Sequence, residues 1–331
     1  MPLVYDVTTA ERLQGSDLIK EAYFAITKER LQSYVAELFP ETTESEFVTY
    51  DQTYQVEDYQ SFYLTDDQLV FYFEENTLAE HQKAFSDGVE LSEAKAFFTR
   101  DLEGNPTGLA IRELDPDAKM IALTFDDGPH PKVEDKLLKL LEEYDAKATF
   151  FFLGQRIEEW YPDSPKKIYQ AGHEVASHTY SHTLDFGRVS AEEMWSEINR
   201  TNLLIAASAG YAPDYIRFPG GTCGKKTVQV PMVVMNWNMD SIDYREKKKE
   251  DGAQIIYERL KNSLYLEDGA IVLLHSIYEN SYEAVALLIP CLKEQGYEFV
   301  TISELFYYKG FSPDTGIAYY TGFGATGLEK R

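Results

Sequence analysis

Five short segments of this 331-residue chain place polar or ionisable side chains directly after apolar runs. Together they offer two imidazoles and a carboxylate for a metal ion, a second carboxylate, an arginine and a further histidine. This set is sufficient for metal-assisted hydrolysis of an acyl group. The segments are TFDDGP at 124–129, HTYSH at 178–182, RFPGG at 217–221, DSIDY at 240–244 and LLH at 273–275.

The first segment contains two adjacent carboxylates, Asp126 and Asp127, at the end of an apolar run. Neighbouring residues of a strand point in opposite directions, so one carboxylate can bind a metal while the other faces a water. The structural alternative is a turn, because Asp-Asp-Gly-Pro is also favourable turn chemistry.

The second segment carries His178 and His182, four residues apart. On a helix this spacing would put both imidazoles on one face, as in helices that bind one metal through two histidines. With Asp127 they form a three-ligand set, the number typical of catalytic zinc with open positions. Zinc suits these ligands, with cobalt and nickel as alternatives. A chance surface pair is the alternative for the histidines alone.

The remaining segments supply Arg217 and His275. A guanidinium beside a carboxylate lowers its pKa and fixes its orientation, although a surface salt bridge is an equally simple role for Arg217. The glycines that follow it can present backbone N–H groups at close range. Asp240 or Asp243 could accept the ring N–H of His275 and fix its tautomer.

The elements that must position these residues follow an alternating pattern from Met120 onward. About seven buried-type strands alternate with helical patterns, which predicts a parallel β/α arrangement closed as a complete or incomplete barrel. All five segments follow strand ends, where barrel enzymes keep their chemistry. The predicted strands are 121–125, 148–153, 174–176, 216–218, 233–237, 271–274 and 299–302, and the predicted helices are 133–144, 165–171, 191–209, 252–266 and 282–295.

The N-terminal third reads as a smaller α+β module. Apolar spacing predicts a helix over 17–39, and strands are predicted at 47–50, 62–64 and 69–73, the last two as a hairpin. Turn residues near 105–108 and 115–117 suggest a linker. We therefore expect an acidic accessory module at 1–115, a catalytic domain at 116–308 and an irregular tail at 309–331.

Charge and composition exclude several classes of partner. The chain has 56 acidic and 31 basic residues, a net charge of −25, of which residues 1–115 contribute −16. This disfavours nucleic acid and anionic membrane surfaces as partners. The sequence contains no run of ~18 apolar residues, the length that would predict a membrane span. No secretory signal or anchor is visible in it either. Cys223 and Cys291 could pair or remain free thiols.

In order and content, the five segments resemble those of the polysaccharide deacetylase family, carbohydrate esterase family 4, over roughly residues 119–305. The resemblance implies a distorted (β/α)7 barrel and a divalent metal ion. It also implies a role for each residue: Asp126 as general base, Asp127, His178 and His182 as metal ligands, Arg217 as the partner of Asp126, His275 as general acid oriented by Asp240, the Gly220 backbone as oxyanion donor, and Tyr244 and Leu273 as walls of the acetyl pocket.

Two positions depart from the family pattern. Gly220 stands where the family often has an aromatic residue, and Tyr244 stands where it often has tryptophan. The chemical groups of the reaction are retained, but both changes lie where sugar specificity would be set.

The activity implied is removal of N-acetyl groups from N-acetylglucosamine-type polysaccharide, first of all bacterial peptidoglycan, at an extracellular or cell-wall location. An O-acetyl xylan esterase or a chitin-oligosaccharide deacetylase is the alternative enzyme. A carbohydrate-binding protein without turnover is the alternative of a different class. The N-terminal module would then bind the cell wall or act as a spacer between the wall and the enzyme.

Overall fold

The computed structural model describes residues 62–64, 68–73, 85–90, 109–222, 224–230, 232–314 and 316–323. Contacts divide the chain into two compact units, Met1–Gly108 and Leu109–Arg331. The division lies slightly N-terminal to the expected boundary at residue 115. Within the described residues, no helix has the length and apolar character needed to cross a membrane.

The first unit contains a three-stranded antiparallel sheet, β1 (Phe62–Leu64), β2 (Gln68–Phe73) and β3 (Phe85–Glu90). The predicted hairpin is confirmed, since β1 and β2 pair antiparallel across a short connection. The predicted helix at 17–39 and strand at 47–50 lie outside the described residues.

The second unit alternates parallel strands with helices. Its described strands are β4 (Lys119–Gly128), β5 (Ala148–Phe152), β6 (Glu174–Ser177), β7 (Tyr215–Ile216), β8 (Val233–Met235), β9 (Met239–Asp240), β10 (Ala270–His275), β11 (Tyr297–Phe299) and β12 (Ala318–Tyr319). Its described α-helices are α1 (Pro131–Glu143), α2 (Gly154–Glu159), α3 (Ser164–Gln170), α4 (Ala191–Ala209), α5 (Asp243–Glu246), α6 (Gly252–Lys261), α7 (Glu279–Lys293) and α8 (Ile302–Tyr308).

The sheet curls into an incomplete barrel. Its strand order is β12-β8-β7-β6-β5-β4-β10-β9, with β11 paired to the start of β4. β8 and β9 lie towards opposite ends of this order, yet only residues 236–238 connect them. A connection this short spans at most ~14 Å, so the two ends of the sheet must approach each other. The predicted distorted barrel is confirmed.

Along the central strand β4, the residue order determines which face of the sheet each side chain occupies. Residues 120 to 125 have no exposed surface, as expected for a parallel strand covered on both faces. Ile121, Leu123 and Phe125 join the core that packs under the helices. Met120 and Ala122 join a second core cluster. By this alternation Thr124 and Asp126 belong to the Met120 and Ala122 face.

The tail differs from the expected irregular segment. Within 309–331, residues Ala318 and Tyr319 form β12, which pairs in parallel with β8 at the edge of the sheet. Tyr319 is buried and its ring packs against Phe306 and Phe311. The sequence did not predict this strand, because a two-residue strand at the edge of a sheet leaves no periodic pattern in a segment rich in Gly and Tyr.

Candidate active site

The carboxyl ends of β4 and β10 bring the predicted residues Asp126 and His275 side by side, since they are register partners. The β4–β5 register shifts between Phe125 and Gly128, and Asp127 adopts a φ of +66°. Strand alternation therefore fails at this point. Both carboxylates approach His178, whose Nε2 lies 3.9 Å from Asp126 Oδ2 and 3.4 Å from Asp127 Oδ1.

The two histidines of the second segment lie on a loop, so the helical explanation of their spacing is wrong. His178 directly follows β6, and no helix includes residues 178–182. Thr179 and His182 instead adopt left-handed φ values of 67° and 63°. This bends the loop back and brings the two imidazole rings to a centroid distance of 5.3 Å.

Asp127, His178 and His182 form a group that can hold a metal ion. One ligand atom from each lies within 4.8 Å of the others. His182 Nε2 is 3.1 Å from Asp127 Oδ1, yet this buried oxygen has no aligned hydrogen-bond donor. A buried carboxylate oxygen facing two imidazole nitrogens without a hydrogen bond fits a bound cation. Burial alone would raise the pKa of Asp127, but the two imidazoles outweigh it and hold this pKa below its ordinary range.

A backbone contact orients His178. Its Nδ1 lies 2.8 Å from the carbonyl oxygen of Arg217, which directs the other ring nitrogen towards Asp127. Histidine ligands are commonly fixed in this way through the nitrogen that does not bind the metal.

The loop between the histidines is fixed by Glu197 of α4, a residue that sequence reasoning missed. One carboxylate oxygen accepts the backbone N–H groups of Tyr180 and Ser181 at 2.9 and 2.8 Å. The other accepts the Ser181 hydroxyl at 2.7 Å. These bonds hold the loop that presents His182. Glu197 stands well outside the HTYSH segment, so no local pattern indicates its role.

Replacing Glu197 with alanine should therefore weaken zinc affinity by roughly 10- to 100-fold, as expected when the support of a metal ligand is lost. Glu197→Gln keeps an acceptor for both N–H groups and an amide that can donate to Ser181, so its affinity should stay within a few-fold of wild type. Competition with a chromophoric chelator measures both. Glu143→Ala, at an exposed position of α1, is the control. If Glu197→Gln weakened zinc affinity as much as Glu197→Ala does, the role of Glu197 in holding the loop would be contradicted. The loss would then come from a long-range effect of charge.

Arg217 fixes Asp126 from inside the barrel. It has no exposed surface, and its Nη1 donates to Asp126 Oδ1 and to Thr124 Oγ1, each at 2.8 Å. Its other nitrogens donate to the carbonyls of Met235 and Asn236. Burial lowers the pKa of Arg217, and the Asp126 carboxylate counteracts this. The Asp126 side chain therefore has one defined orientation.

Asp243 holds His275, and the assignment of Asp240 to that position is wrong. Asp243 Oδ1 lies 2.7 Å from His275 Nδ1, and its Oδ2 accepts the backbone N–H of His275 at 2.8 Å. Asp240 pairs in register with Leu273, two residues before His275, and its Oδ1 accepts the Ile242 N–H instead. The sequence left both aspartates open because the β9–β10 register is a long-range property.

The charge of His275 follows from these neighbours. Burial alone would lower its pKa, but Asp243, with Asp126 and Asp127, raises the pKa to about 9. The Asp243 carboxylate therefore favours the doubly protonated form of the His275 imidazole. Because Nδ1 is engaged by Asp243, Nε2 is the nitrogen that faces the Asp127 side of the site, 3.9 Å from Oδ2.

The residues expected to line the acetyl pocket differ in their exposure and in their contacts with His275. Gly220 has a φ of +70° and an open space where a side chain would stand. Leu273 is nearly buried, whereas Tyr244 is 40% exposed with its ring edge-on to His275 at 6.3 Å. Tyr278, which the sequence analysis missed, lies 5.6 Å from the same imidazole. Its proximity to LLH in sequence is the signal that could have indicated it.

Glu134 links the loop after β4 to the loop after β10. This buried residue of α1 accepts the backbone N–H of His130 at 2.8 Å and the Ser276 hydroxyl at 3.0 Å. Burial raises its pKa to about 7, although both hydrogen bonds oppose the shift. The loop after β4 and the loop after β10 therefore share one buried carboxyl group.

The pKa of Glu134 predicts a pH dependence of stability. Folding raises this pKa from an ordinary 4.5, so its contribution is fully present below pH 4.5 and is lost as the pH rises through 7. Glu134→Gln keeps an acceptor oxygen for both donors. It should match wild type near pH 5 and be more stable at pH 8, by up to a few kcal/mol. Urea unfolding at both pH values, with the exposed Glu142→Gln as control, tests this. Parallel pH curves for wild type and Glu134→Gln would contradict it.

Comparisons with known proteins agree with this geometry. A family model described as polysaccharide deacetylase matches residues 113–232. The peptidoglycan-N-acetylmuramic acid deacetylase PdaC of Bacillus subtilis is 38% identical over 193 residues, which cover 58% of this chain and 40% of PdaC. A peptidoglycan-N-acetylglucosamine deacetylase of Bacillus cereus is 33% identical over 219 residues, which cover 62% of this chain and 97% of that protein.

Among solved structures, a family 4 acetyl xylan esterase from Clostridium thermocellum in complex with a cobalt ion superposes with a TM-score of 0.57. It is 31% identical, and the match covers 61% of this chain and 98% of that one. The chain thus spans about two fifths of PdaC but nearly all of the shorter Bacillus cereus relative. This chain belongs to the polysaccharide deacetylase family.

Proposed function

We propose that this protein is a metal-dependent hydrolase that removes N-acetyl groups from N-acetylglucosamine-type polysaccharide, with bacterial peptidoglycan as the first candidate. The observation that carries the proposal is the convergence of Asp127, His178 and His182 beside two oriented groups, Asp126 on Arg217 and His275 on Asp243. The relatives whose names specify peptidoglycan deacetylation support the choice of substrate.

In this proposal the residues divide the reaction between them. A divalent ion held by Asp127, His178 and His182 would polarise the acetyl carbonyl and lower the pKa of a water. Asp126 accepts a proton from the attacking water, and Arg217 keeps its carboxylate in place. His275 donates its Nε2 proton to the departing amine. Water is thereby added across the amide C–N bond, and acetate and a free amine leave.

Other groups are proposed to stabilise the charges that develop in the reaction and to form the walls of the acetyl pocket. Asp243 stabilises the His275 imidazolium before it donates, as the short contact to Nδ1 allows. The backbone N–H of Gly220 is proposed as a donor to the developing oxyanion. Leu273 and Tyr244 are proposed as walls for the acetyl methyl group. Zinc is the proposed metal, with cobalt and nickel as alternatives.

Location and the N-terminal module are part of the same proposal. A peptidoglycan substrate implies an extracellular or cell-wall site of action. Residues 1–115 are proposed as an accessory module that binds wall material or acts as a spacer between the wall and the catalytic domain. Deleting 1–108 should then weaken binding to insoluble wall more than activity on soluble oligosaccharides, and equal loss of both would contradict this role.

Ester hydrolysis is the second candidate, because the same groups can attack an O-acetyl ester and one structural neighbour is an acetyl xylan esterase. Deacetylation of chitin oligosaccharides uses the same chemistry on a neutral chain. A binding protein without turnover is disfavoured, since Arg217 orients Asp126 and Asp243 orients His275 beside the three converging ligands.

Mass spectrometry of muropeptides, chitooligosaccharides and acetylated xylan, each incubated with the zinc-loaded protein, tests the proposal. We expect loss of an N-acetyl group from muropeptides, abolished by a chelator and restored by zinc. Release of acetate from xylan alone would favour the esterase. No acetate from any polymer, with one zinc bound per chain, would overturn the hydrolase proposal.

A further inference from the structure

A basic segment lies beside His275 in an otherwise acidic protein. Residues 245–249, REKKK, follow Tyr244 directly, whereas the chain as a whole carries a net charge of −25. Lys249 pairs with the buried Glu246 at 2.5 Å. Arg245, Lys247 and Lys248 are exposed and form no ion pair with any residue that the structure describes. Three cations are therefore available to a ligand.

Two of these cations lie against the aromatic neighbours of His275. The Arg245 guanidinium carbon is 5.6 Å from the centre of the Tyr244 ring, and Lys247 Nζ is 5.1 Å from the centre of the Tyr278 ring. These rings flank the imidazole of His275 at 6.3 and 5.6 Å. Each cation thus lies against an aromatic ring that is itself next to the proposed proton donor, His275.

The backbone under this segment is fixed. Glu246 is buried and accepts from Arg259 at 2.8 Å. Asn280 of α7 donates to the backbone carbonyls of Glu246 and Lys249 at 2.7 and 3.0 Å. Gly252 lies so close to Asn280 and to the Glu246 carbonyl that a side chain there would clash. The cations are therefore carried by an anchored turn.

The carboxylates around Arg245 and Lys247 form no ion pair with them among the residues that the structure describes. Asp243 is engaged by His275 and Ser281, and Glu279 by Lys136. Glu250 and Asp251 are exposed and follow the basic segment. Cations partly shielded by aromatic faces attract carboxylates from solvent at close range. A neutral glycan offers these cations only hydroxyl and carbonyl acceptors, whereas a carboxylate adds a charge-assisted hydrogen bond that is roughly twice as strong.

We propose that Arg245 and Lys247 form a carboxylate subsite on the leaving-amine side of the active site. The subsite selects glycans that carry a carboxylate on, or next to, the N-acetylated sugar over neutral glycans. This inference rests on the proposed deacetylase function and names the substrate class of the same site. The carboxylate can belong to an acidic ether substituent of the sugar or to a peptide attached to it.

The test is the ratio of kcat/KM for a carboxylate-bearing muropeptide to that for a neutral chitooligosaccharide of equal length. In the double variant Arg245→Gln, Lys247→Gln this ratio should fall about tenfold, mainly through KM, since two partly exposed contacts are lost. The matched control is Lys139→Gln, Lys166→Gln, which removes the same charge from α1 and α3 and should leave the ratio as in wild type. A muropeptide stripped of its peptide distinguishes the two sources of carboxylate.

An unchanged ratio in the Arg245 and Lys247 variant would overturn the subsite, as would an equal fall in the control. Failure of the proposed function is distinguishable, because then neither glycan releases acetate with wild type. In that case equilibrium binding of the same two zinc-loaded variants to both glycans replaces turnover. Selective loss of affinity for the carboxylate-bearing glycan supports the subsite, and equal affinities reject it.

Discussion

Replacing His178 with alanine is expected to lower zinc affinity and the rate of acetate release by about a thousandfold or more. The substitution removes one of three ligand atoms that lie within 4.8 Å of one another. The remaining carboxylate and His182 would hold a divalent ion with only two protein ligands, one fewer than catalytic zinc sites use. Calorimetric zinc titration and an acetate assay at saturating zinc measure the two losses separately.

His130→Ala is the matched control for this prediction. It removes an imidazole from the loop after β4, and His130 is not among the residues that converge on Asp127. The control should keep zinc affinity and most activity. Retained zinc affinity in the His178 variant, or equal losses in both variants, would show that the ion is held elsewhere.

Replacing His275 with asparagine is expected to lower kcat for amide substrates by roughly 10²- to 10⁴-fold, the range attributed to a positioned proton donor. The asparagine amide can still donate to Asp243 from about the place of Nδ1, so the buried carboxylate keeps a partner. What disappears is the Nε2 proton. Zinc affinity should change little, because His275 is not one of the three converging ligands.

The nature of the leaving group separates proton donation from a structural role. An aryl acetate leaves as a weakly basic phenolate that needs no proton, so the His275 variant should hydrolyse it at a rate close to wild type. A loss equal to that on the amide substrate would contradict the role of His275 as donor. Asp243→Asn should reproduce part of the amide-specific loss, because the imidazolium would lose its stabilising charge.

Local pattern predicts some of these residues well. Asp126 continues the alternation of Met120, Ala122 and Thr124, so its direction into the barrel follows from the strand alone. Asp127 does not follow from it, because a register shift and a positive φ reverse its direction. The alternation of a buried parallel strand is local physics, whereas the bulge depends on the neighbouring strand.

The remaining features of the site and of the sheet depend on contacts between residues far apart in the sequence. The histidine loop takes its shape from Glu197 on α4, and the choice between Asp240 and Asp243 depends on the register of β9 against β10. β12 was missed because its two residues are ordered by pairing with β8. None of these contacts leaves a periodic signal in the sequence.

X-ray absorption at the zinc edge tests the central claim most directly, because it reports the ligands of the ion without reference to turnover. The zinc-loaded protein is predicted to show two imidazole nitrogens with oxygen ligands, all at about 2.0–2.2 Å, and His182→Ala is predicted to show one imidazole fewer. Sulfur neighbours at about 2.3 Å, or a spectrum unchanged by the His182 substitution, would contradict the assignment of Asp127, His178 and His182 as the metal site.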